Sequence, residues 1–349
     1  LATREEKDVT RGRARILQEA ANSQLVKAID SPEVLEALDL CLACKACSAD
    51  CPAGVDMARY RSEALFRTYR GRMRPLSHYT LGWLPRLTRV TARVPGLAAV
   101  ANAVMSVAPL RSLAFRIIGL DPRRGMPALQ SGTFTAWARR RNLLAGSVPA
   151  SASSDPISGA SDHVSDASNP ISEARERDAA PTSSDSARER GGTTASSMAD
   201  SPILSGPRDP SGRPYALVWA DSFSQTLDDA GARAVVDVLE ANGFAPIVAP
   251  DACCGLTWIT TGQLTGAKKH LSSLLGVLAP VAASGIPIVG VEPSCTAVLR
   301  DDLLDLLPED PRSMLVSRAT RTLAEVLSAV PASERRLPSL EGVEIVAQP

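Results

Sequence analysis

The chain has 349 residues, 44% of them hydrophobic and 22% charged, and this length predicts about two domains. The formal net charge is zero, but residues 1–145 hold 23 basic and 12 acidic side chains, whereas residues 146–349 hold 15 and 26. A net charge of +11 followed by −11 excludes one uniform neutral globule and indicates two modules with different neighbours. Aromatic residues make up only 4% of the chain, so any core is aliphatic.

The first part of the chain predicts a helical domain. Apolar spacing indicates helix over 11–40 and 56–70. Ser31-Pro32 and Asp56 are residue types that begin helices. Beyond residue 80, prolines predict breaks between short helices, at Pro85, Pro95, Pro109 and Pro122.

Four cysteines between the first two helical segments carry the strongest chemical signal. They form the run C-x-x-C-x-x-C-x-x-x-C-P with ligand positions Cys41, Cys44, Cys47 and Cys51. This spacing is typical of bacterial ferredoxins that hold a [4Fe–4S] cluster. Zinc is disfavoured because zinc sites pair two C-x-x-C units across a longer loop or use histidines. Two ligand sets stay open: all four thiolates on one cluster, or three on one cluster with Cys51 serving another.

A serine-rich segment separates two parts of different composition. Residues 146–213 contain 17 serines and only seven large apolar side chains. So little apolar surface cannot offset the entropy lost on ordering the chain, and the composition predicts a disordered linker.

The last part, residues 214–349, predicts a parallel α/β domain. Apolar runs predict strands at 216–219, 246–248, 286–291 and 343–347. Between them, helical patterns are predicted over 226–242, 263–279, 296–306 and 313–329. Strands that alternate with helices of this length are typical of a parallel sheet. The adjacent Asp301-Asp302 carboxylates are interpreted as ordinary solvated helix charge.

Three further cysteines follow predicted strands of this sheet. Cys253-Cys254-Gly255 comes after the second strand, and Cys295 comes after the third at a predicted helix start. Ligands bind at the carboxyl ends of strands in open α/β sheets, and a helix start favours a thiolate. Either these cysteines are metal or redox ligands, or they are small buried side chains of the core.

The cysteine segments resemble one known family. Cys41 to Met57, the basic runs on either side of it, Cys253-Cys-Gly255 and Glu292-Pro-Ser-Cys295 resemble the iron–sulfur region of flavin-dependent D-2-hydroxyacid dehydrogenases, of the D-lactate, D-2-hydroxyglutarate and glycolate oxidase type. The Cys-Cys-Gly part also resembles the corresponding domain of heterodisulfide reductases of the B type. The resemblance implies an all-helical ferredoxin-like [4Fe–4S] domain over 1–145, the linker, and a Cys-Cys-Gly domain over 214–349.

The resemblance also implies cofactors and partners. Electrons pass from FAD in an upstream domain, through [4Fe–4S] chemistry, to an acceptor such as a quinone or cytochrome. The chain begins at Leu1 and ends just after a predicted strand, so we expect an internal piece of a longer protein that is inactive alone. Two alternatives stay open: a separate iron–sulfur subunit of a heterodisulfide-reductase-like complex, and a non-catalytic redox sensor.

The odd number of clustered cysteines argues against a disulfide framework and predicts a reducing, cytoplasmic location. The longest apolar stretch, 94–110, is short for a membrane span and contains two prolines. Residues 76–124 are expected either to pack as a buried helical face or to rest peripherally on the inner face of a membrane. Nucleic-acid binding is not expected, because the arginine runs lack interleaved aromatic side chains.

Overall fold

The computed structural model describes residues 5–22, 28–51, 54–118, 127–145 and 203–337, with residues 121, 123, 125, 339 and 341–344. Most of the predicted linker lies outside the described residues. So does most of the last predicted strand, and the two described positions of that strand, Val343 and Glu344, are not in a strand.

The first part of the chain folds into helices, as predicted. Asp56 caps its helix, since its carboxylate accepts hydrogen bonds from the backbone N–H groups of Ala58 and Arg59. The predicted breaks lie just before Pro85 and Pro109, which occupy first turns of the next helices, where proline needs no donor. A 3-10 helix, Glu6–Asp8, precedes α1 (Thr10–Asn22), α2 (Pro32–Asp39), α3 (Ala46–Asp50), α4 (Met57–Thr68), α5 (Leu76–Gly82), α6 (Leu84–Arg93), α7 (Leu97–Ser106) and α8 (Ala108–Ile118).

A parallel sheet organises the last part of the chain. Its strands are β1 (Tyr215–Trp219), β2 (Ala245–Val248), β3 (Ile288–Gly290) and β4 (Thr320–Arg321), in the order β2-β1-β3-β4. The chain therefore passes from β1 to one side and then returns to the other. At such a switch point the loops at the carboxyl ends of β1 and β3 diverge and leave room for a site.

Helices cover both faces of this sheet. Leu217 and Trp219 face one apolar core, and Ala216 and Val218 face the other, as alternation along a strand requires. The helices are α9 (Phe134–Arg140), α10 (Ser222–Thr226), α11 (Ala230–Ala241), α12 (Leu256–Thr260), α13 (Leu264–Ala283), α14 (Pro293–Arg300), α15 (Asp302–Leu306), α16 (Pro311–Ala319) and α17 (Leu323–Ser328).

The borders of the α/β unit differ from the predicted ones. Phe134 of α9 is fully buried in the sheet core, and Leu144 bridges to Val248 of β2, although both precede residue 146. Ile203 and Leu204, in the predicted linker, pack against the same core. The average composition of the serine-rich segment hides these apolar side chains. The predicted linker is therefore too long at its carboxyl end, and the α/β unit also includes residues before the linker.

One predicted helix, over 313–329, is wrong as a continuous element. The chain instead forms α16, the short edge strand β4 and α17. A capping box at Thr322 and Glu325 begins α17: the Thr322 hydroxyl accepts from the Glu325 N–H, and the Glu325 carboxylate accepts from the Thr322 N–H. The spacing of Thr322 and Glu325 is the sequence signal that a new helix begins within the predicted helix over 313–329.

The helical part packs on the α/β unit through α4 and α5, which contact α12. Arginines of the helical part donate to carbonyls at the end of α12: Arg61 to Thr260 at 2.6 Å, and Arg74 to Thr261 and Gly262 at 2.7 Å. These carbonyls lack partners within their own helix, so the arginines satisfy them. The two parts are therefore joined by specific polar contacts.

In the part of the chain that the structure describes, no single helix has the length and apolarity of a membrane span. The pair Leu97–Ser106 and Ala108–Ile117 has both properties together but is bent by 100°.

Candidate functional site

The first cysteine group lies on a tight loop between α2 and α4. Cys41 follows α2 directly and Cys47 lies in α3. Between them Ala43 and Lys45 have positive φ angles of 54° and 61°. Left-handed backbone costs an alanine or lysine roughly 1–2 kcal/mol, so this loop is held in a strained form, which is common at functional sites.

The thiols of this group are accessible. Cys44 is exposed, the other three are partly buried, and none of the seven cysteines is in a disulfide. The backbone N–H of Met57 donates to the Cys47 sulfur at 3.4 Å. Such N–H to sulfur bonds are typical of thiolates that ligate iron, where they adjust the reduction potential.

Among the residues with described positions, no group of three or more Cys, His, Asp or Glu side chains is arranged to hold a metal ion. The four predicted ligands thus share one loop but do not converge on a point. Their donor chemistry nevertheless fits a [4Fe–4S] cluster, because thiolates in this spacing are its usual ligands.

The second cysteine group is buried at the carboxyl edge of the sheet. Cys253 and Cys254 lie after β2, and Cys295 lies in the first turn of α14 after β3. The Cys254 and Cys295 sulfurs are 3.1 Å apart, and the Gly255 N–H donates to the Cys253 sulfur at 3.4 Å. The fold therefore places Cys295 against a cysteine that lies 41 residues earlier in the chain.

The environment of this second group favours neutral thiols. A hydrogen bond with Cys254, together with burial, raises the pKa of Cys253 strongly. For Cys295, the hydrogen bond with Cys254 lowers the pKa, but burial and the charges of Asp221 and Glu292 outweigh it, and the net shift is upward. Only a bound cation would make thiolates favourable here. The three thiols fit a soft metal by donor type, as they also fit an apolar core.

Lys45 connects the two cysteine groups, a role that the sequence did not reveal. Its ammonium lies 2.5 Å from Asp301, 2.8 Å from Asp302 and 3.3 Å from Asp56. Burial opposes its charged form, but the hydrogen bonds to Asp301 and Asp302 outweigh burial and raise the Lys45 pKa. Lys45 is therefore charged at neutral pH.

The interpretation of Asp301-Asp302 as solvated helix charge is wrong for Asp302, which is only 7% exposed. Asp301 ends α14, the helix that carries Cys295 in its first turn. The Lys45 contacts consequently fix the first cysteine loop against the helix of the second group. No local sequence pattern indicates this contact, because Lys45 and Asp302 are 257 residues apart in the chain.

Comparison with known proteins points to one class of oxidoreductase, the 2-hydroxyacid dehydrogenases. This similarity supports the expectation that the chain is part of an oxidoreductase. No protein-family model matches the chain, and no solved structure matches it.

The relatives themselves are named D-2-hydroxyglutarate dehydrogenase. The protein from Escherichia coli is 24% identical over 303 residues, which cover 86% of this chain and 24% of the relative. The protein from Pseudomonas putida is 25% identical over 273 residues, which cover 78% of this chain and 21% of the relative. The chain thus spans about a quarter of the length of the curated relatives it matches.

Proposed function

We propose that this chain is the iron–sulfur electron-transfer region of an FAD-dependent D-2-hydroxyacid dehydrogenase. The observation that carries the proposal is the similarity to D-2-hydroxyglutarate dehydrogenases over most of a chain that contains a ferredoxin-type cysteine run. D-2-Hydroxyglutarate is accordingly the first substrate to test for the whole protein, with D-lactate and glycolate as the other hydroxyacids of the class.

The residues of the first cysteine loop have distinct tasks in this proposal. Cys41, Cys44, Cys47 and Cys51 bind the cluster, which when bound accepts and releases one electron at a time. Met57 donates its N–H to the Cys47 sulfur and so favours the reduced, more negative state. Lys45 holds this loop against the end of α14 through its ion pairs with Asp301 and Asp302.

The second cysteine group supports the proposal less directly. Cys253, Cys254 and Cys295 are buried and close together, which suits either a second metal centre or a dense core. The tie between Lys45 and the end of α14 keeps this group beside the ferredoxin-type loop. If the second group binds iron, that tie gives electrons a fixed path between two centres.

The rest of the electron path belongs to partners. FAD in a domain outside this chain oxidises the hydroxyacid, and a quinone or cytochrome accepts the electrons. In this proposal the chain is a relay that does not itself oxidise substrate, and it works in the cytoplasm.

Iron and sulfide counting after anaerobic reconstitution tests the proposal. We expect about four iron and four sulfide per chain, and an EPR signal on reduction by dithionite. Cys44→Ser should abolish that signal, because it removes one thiolate of the run. A preparation that binds zinc instead of iron, or a cluster that cannot be reduced, would refute the electron-transfer role.

A matched variant shows which of the two cysteine groups binds the iron. Cys254→Ser alters a thiol of the buried group and leaves the first loop intact. An unchanged iron count and spectrum for this variant would mean that the buried cysteines hold no iron. Loss of the signal in Cys254→Ser but not in Cys44→Ser would contradict our assignment of the ligands.

A further inference from the structure

Three consecutive helices of the N-terminal part expose aliphatic side chains at helical spacing. In α6 and just after it they lie at i, i+3 and i+7, in α7 and just after it at i, i+4 and i+7, and in α8 at i, i+3 and i+7. All nine side chains are at least 43% exposed, and we call them the apolar stripes: Leu87, Val90, Val94, Val100, Val104, Val107, Leu110, Leu113 and Ile117. A surface helix of a water-soluble domain normally turns polar residues outward, so these stripes require an apolar neighbour.

The opposite faces of the same helices are packed against the protein. Thr88 and Ala92 of α6, Ala98 of α7 and Phe115 of α8 are buried. The Asn102 side chain also fixes α7, because its amide donates to the Leu129 carbonyl and accepts from the Leu129 N–H. The outward direction of the stripes is therefore set by the fold.

The chain segment that carries the stripes holds charges of one sign. Residues 64–120 contain nine arginines, no lysine and no acidic residue. Arg70, Arg72 and Arg116 are exposed, and Met73, between two arginines of the preceding loop, is 91% exposed, whereas Arg89 and Arg93 of α6 pair with Asp251. An apolar surface that carries an excess of guanidinium groups is complementary to a membrane surface, which has an apolar interior and negatively charged headgroups.

We propose that the apolar stripes rest on an anionic phospholipid membrane, with the arginines on lipid phosphates. The aliphatic side chains enter the boundary between headgroups and acyl chains, and Arg70, Arg72 and Arg116 contact the phosphates. The nine arginines and the absence of any acidic residue over 64–120 favour this partner, because lipid phosphates complement a surface with an excess of guanidinium groups. The proposal does not depend on the presence of a cluster.

Co-sedimentation of the whole chain with vesicles tests this proposal. The chain should pellet with vesicles of phosphatidylcholine and phosphatidylglycerol, and about tenfold less with phosphatidylcholine alone. Raising the ionic strength should weaken the binding, because salt screens the arginine–phosphate attraction. If the chain stays in the supernatant with both vesicle types, the proposal is wrong and a protein partner covers the stripes.

Two matched triple variants test whether vesicle binding depends on the apolar stripes or on exposed apolar side chains in general. Val100→Gln with Leu113→Gln and Ile117→Gln should lower binding to anionic vesicles by about tenfold or more. The control changes three exposed apolar residues of the α/β unit in the same way, Met314→Gln, Leu315→Gln and Leu337→Gln, and should leave binding unchanged.

Circular dichroism first confirms that both triple variants are folded. Equal loss of binding in the two triples would overturn the assignment to the stripes. Arg70→Gln with Arg72→Gln and Arg116→Gln tests the charges, and we expect the preference for anionic vesicles to disappear. Retention of that preference would contradict the role of the arginines.

Discussion

A few charged and titratable side chains do more in this protein than their sequence positions suggest. Lys45 is surrounded by three carboxylates, and Asp302 is buried beside it. His270 lies with its ring centroid 4.2 Å from that of Trp258, next to the guanidinium of Arg86. The Lys45–Asp302 and Arg86–His270 contacts join segments that are distant along the chain, so each is sensitive to a single substitution.

Lys45→Met should destabilise the chain by about 1–2 kcal/mol, since it leaves the buried Asp302 carboxylate without its cation. Lys7→Met is the control. Lys7 also contacts two carboxylates, Glu5 and Glu36, but at an exposed surface where ion pairs contribute little. Urea denaturation measures both variants. An equal decrease in the free energy of unfolding for Lys45→Met and Lys7→Met would refute the special role of Lys45.

Because of His270, we expect the free energy of unfolding to decrease in acid. Burial first, and then the charges of Arg86 and Arg89, lower its pKa below the ordinary value of 6.5. A base with a lowered folded-state pKa binds fewer protons when folded, so its stabilising effect is present above pH 6.5 and is lost as the pH falls through and below that value. His78 has a lowered pKa for the same main reason and adds to the effect.

The test compares the native chain with His270→Gln. The free energy of unfolding should fall less for the variant between about pH 7.5 and about pH 5.5, because glutamine takes up no proton. Any packing that glutamine loses against Trp258 is the same at both pH values and cancels in the comparison. An identical fall in the two proteins would show that folding leaves the His270 pKa at its ordinary value.

At the scale of elements, several helix ends follow directly from the sequence. Asp56 caps α4, Pro32 begins α2, and Gly243 has the positive φ of 82° expected after the end of α11. The strand β4 does not follow from it, because two residues of edge strand give no periodic signal. Its position is set by pairing with β3, which is a tertiary contact.

The turn after α12 packs closely against α4 of the helical part. Gly262 has a φ of +67°, and a Cβ there would lie 2.5 Å from Leu65 Cβ and 2.8 Å from the Phe66 backbone nitrogen of α4. Gly262→Ala should therefore cost about 2–4 kcal/mol, because backbone strain and a clash add together.

Gly243→Ala is the matched control. Its φ is +82°, and a Cβ there meets nothing within 4 Å, so only the strain of about 1 kcal/mol remains. Urea denaturation gives both values, and protease digestion reports whether α4 leaves the α/β unit in Gly262→Ala. Equal costs at the two glycines would mean that α4 does not press on this turn.

At the scale of the whole molecule, the opposite charges of the two halves meet at their contact. Lys45 pairs with Asp301 and Asp302, Arg59 with Asp305 at 2.8 Å, and Arg89 with Asp251 at 2.8 Å. Each pair joins a cation of the basic half to a carboxylate of the acidic half. The opposite charges of the two halves are thus partly paired in the fold, while Arg70, Arg72 and Arg116 stay exposed beside the apolar stripes.

The sequence by itself determined the classes of chemistry and of structure. The ferredoxin-type spacing of Cys41 to Cys51, the alternation of strands and helices after residue 214, and most helix starts are local patterns. Local patterns are readable because they depend on residues three to ten apart, where backbone geometry fixes which side chains meet.

Only the tertiary structure decided which distant residues meet. It placed Cys295 beside Cys254, Lys45 against Asp302, and α9 in the sheet core, and among the described residues the apolar stripes are exposed. None of these follows from a local pattern, because each depends on the order of strands in the sheet and on how the helical part packs against α12. Contacts of that kind are selected by the burial of the whole core, which no short segment encodes alone.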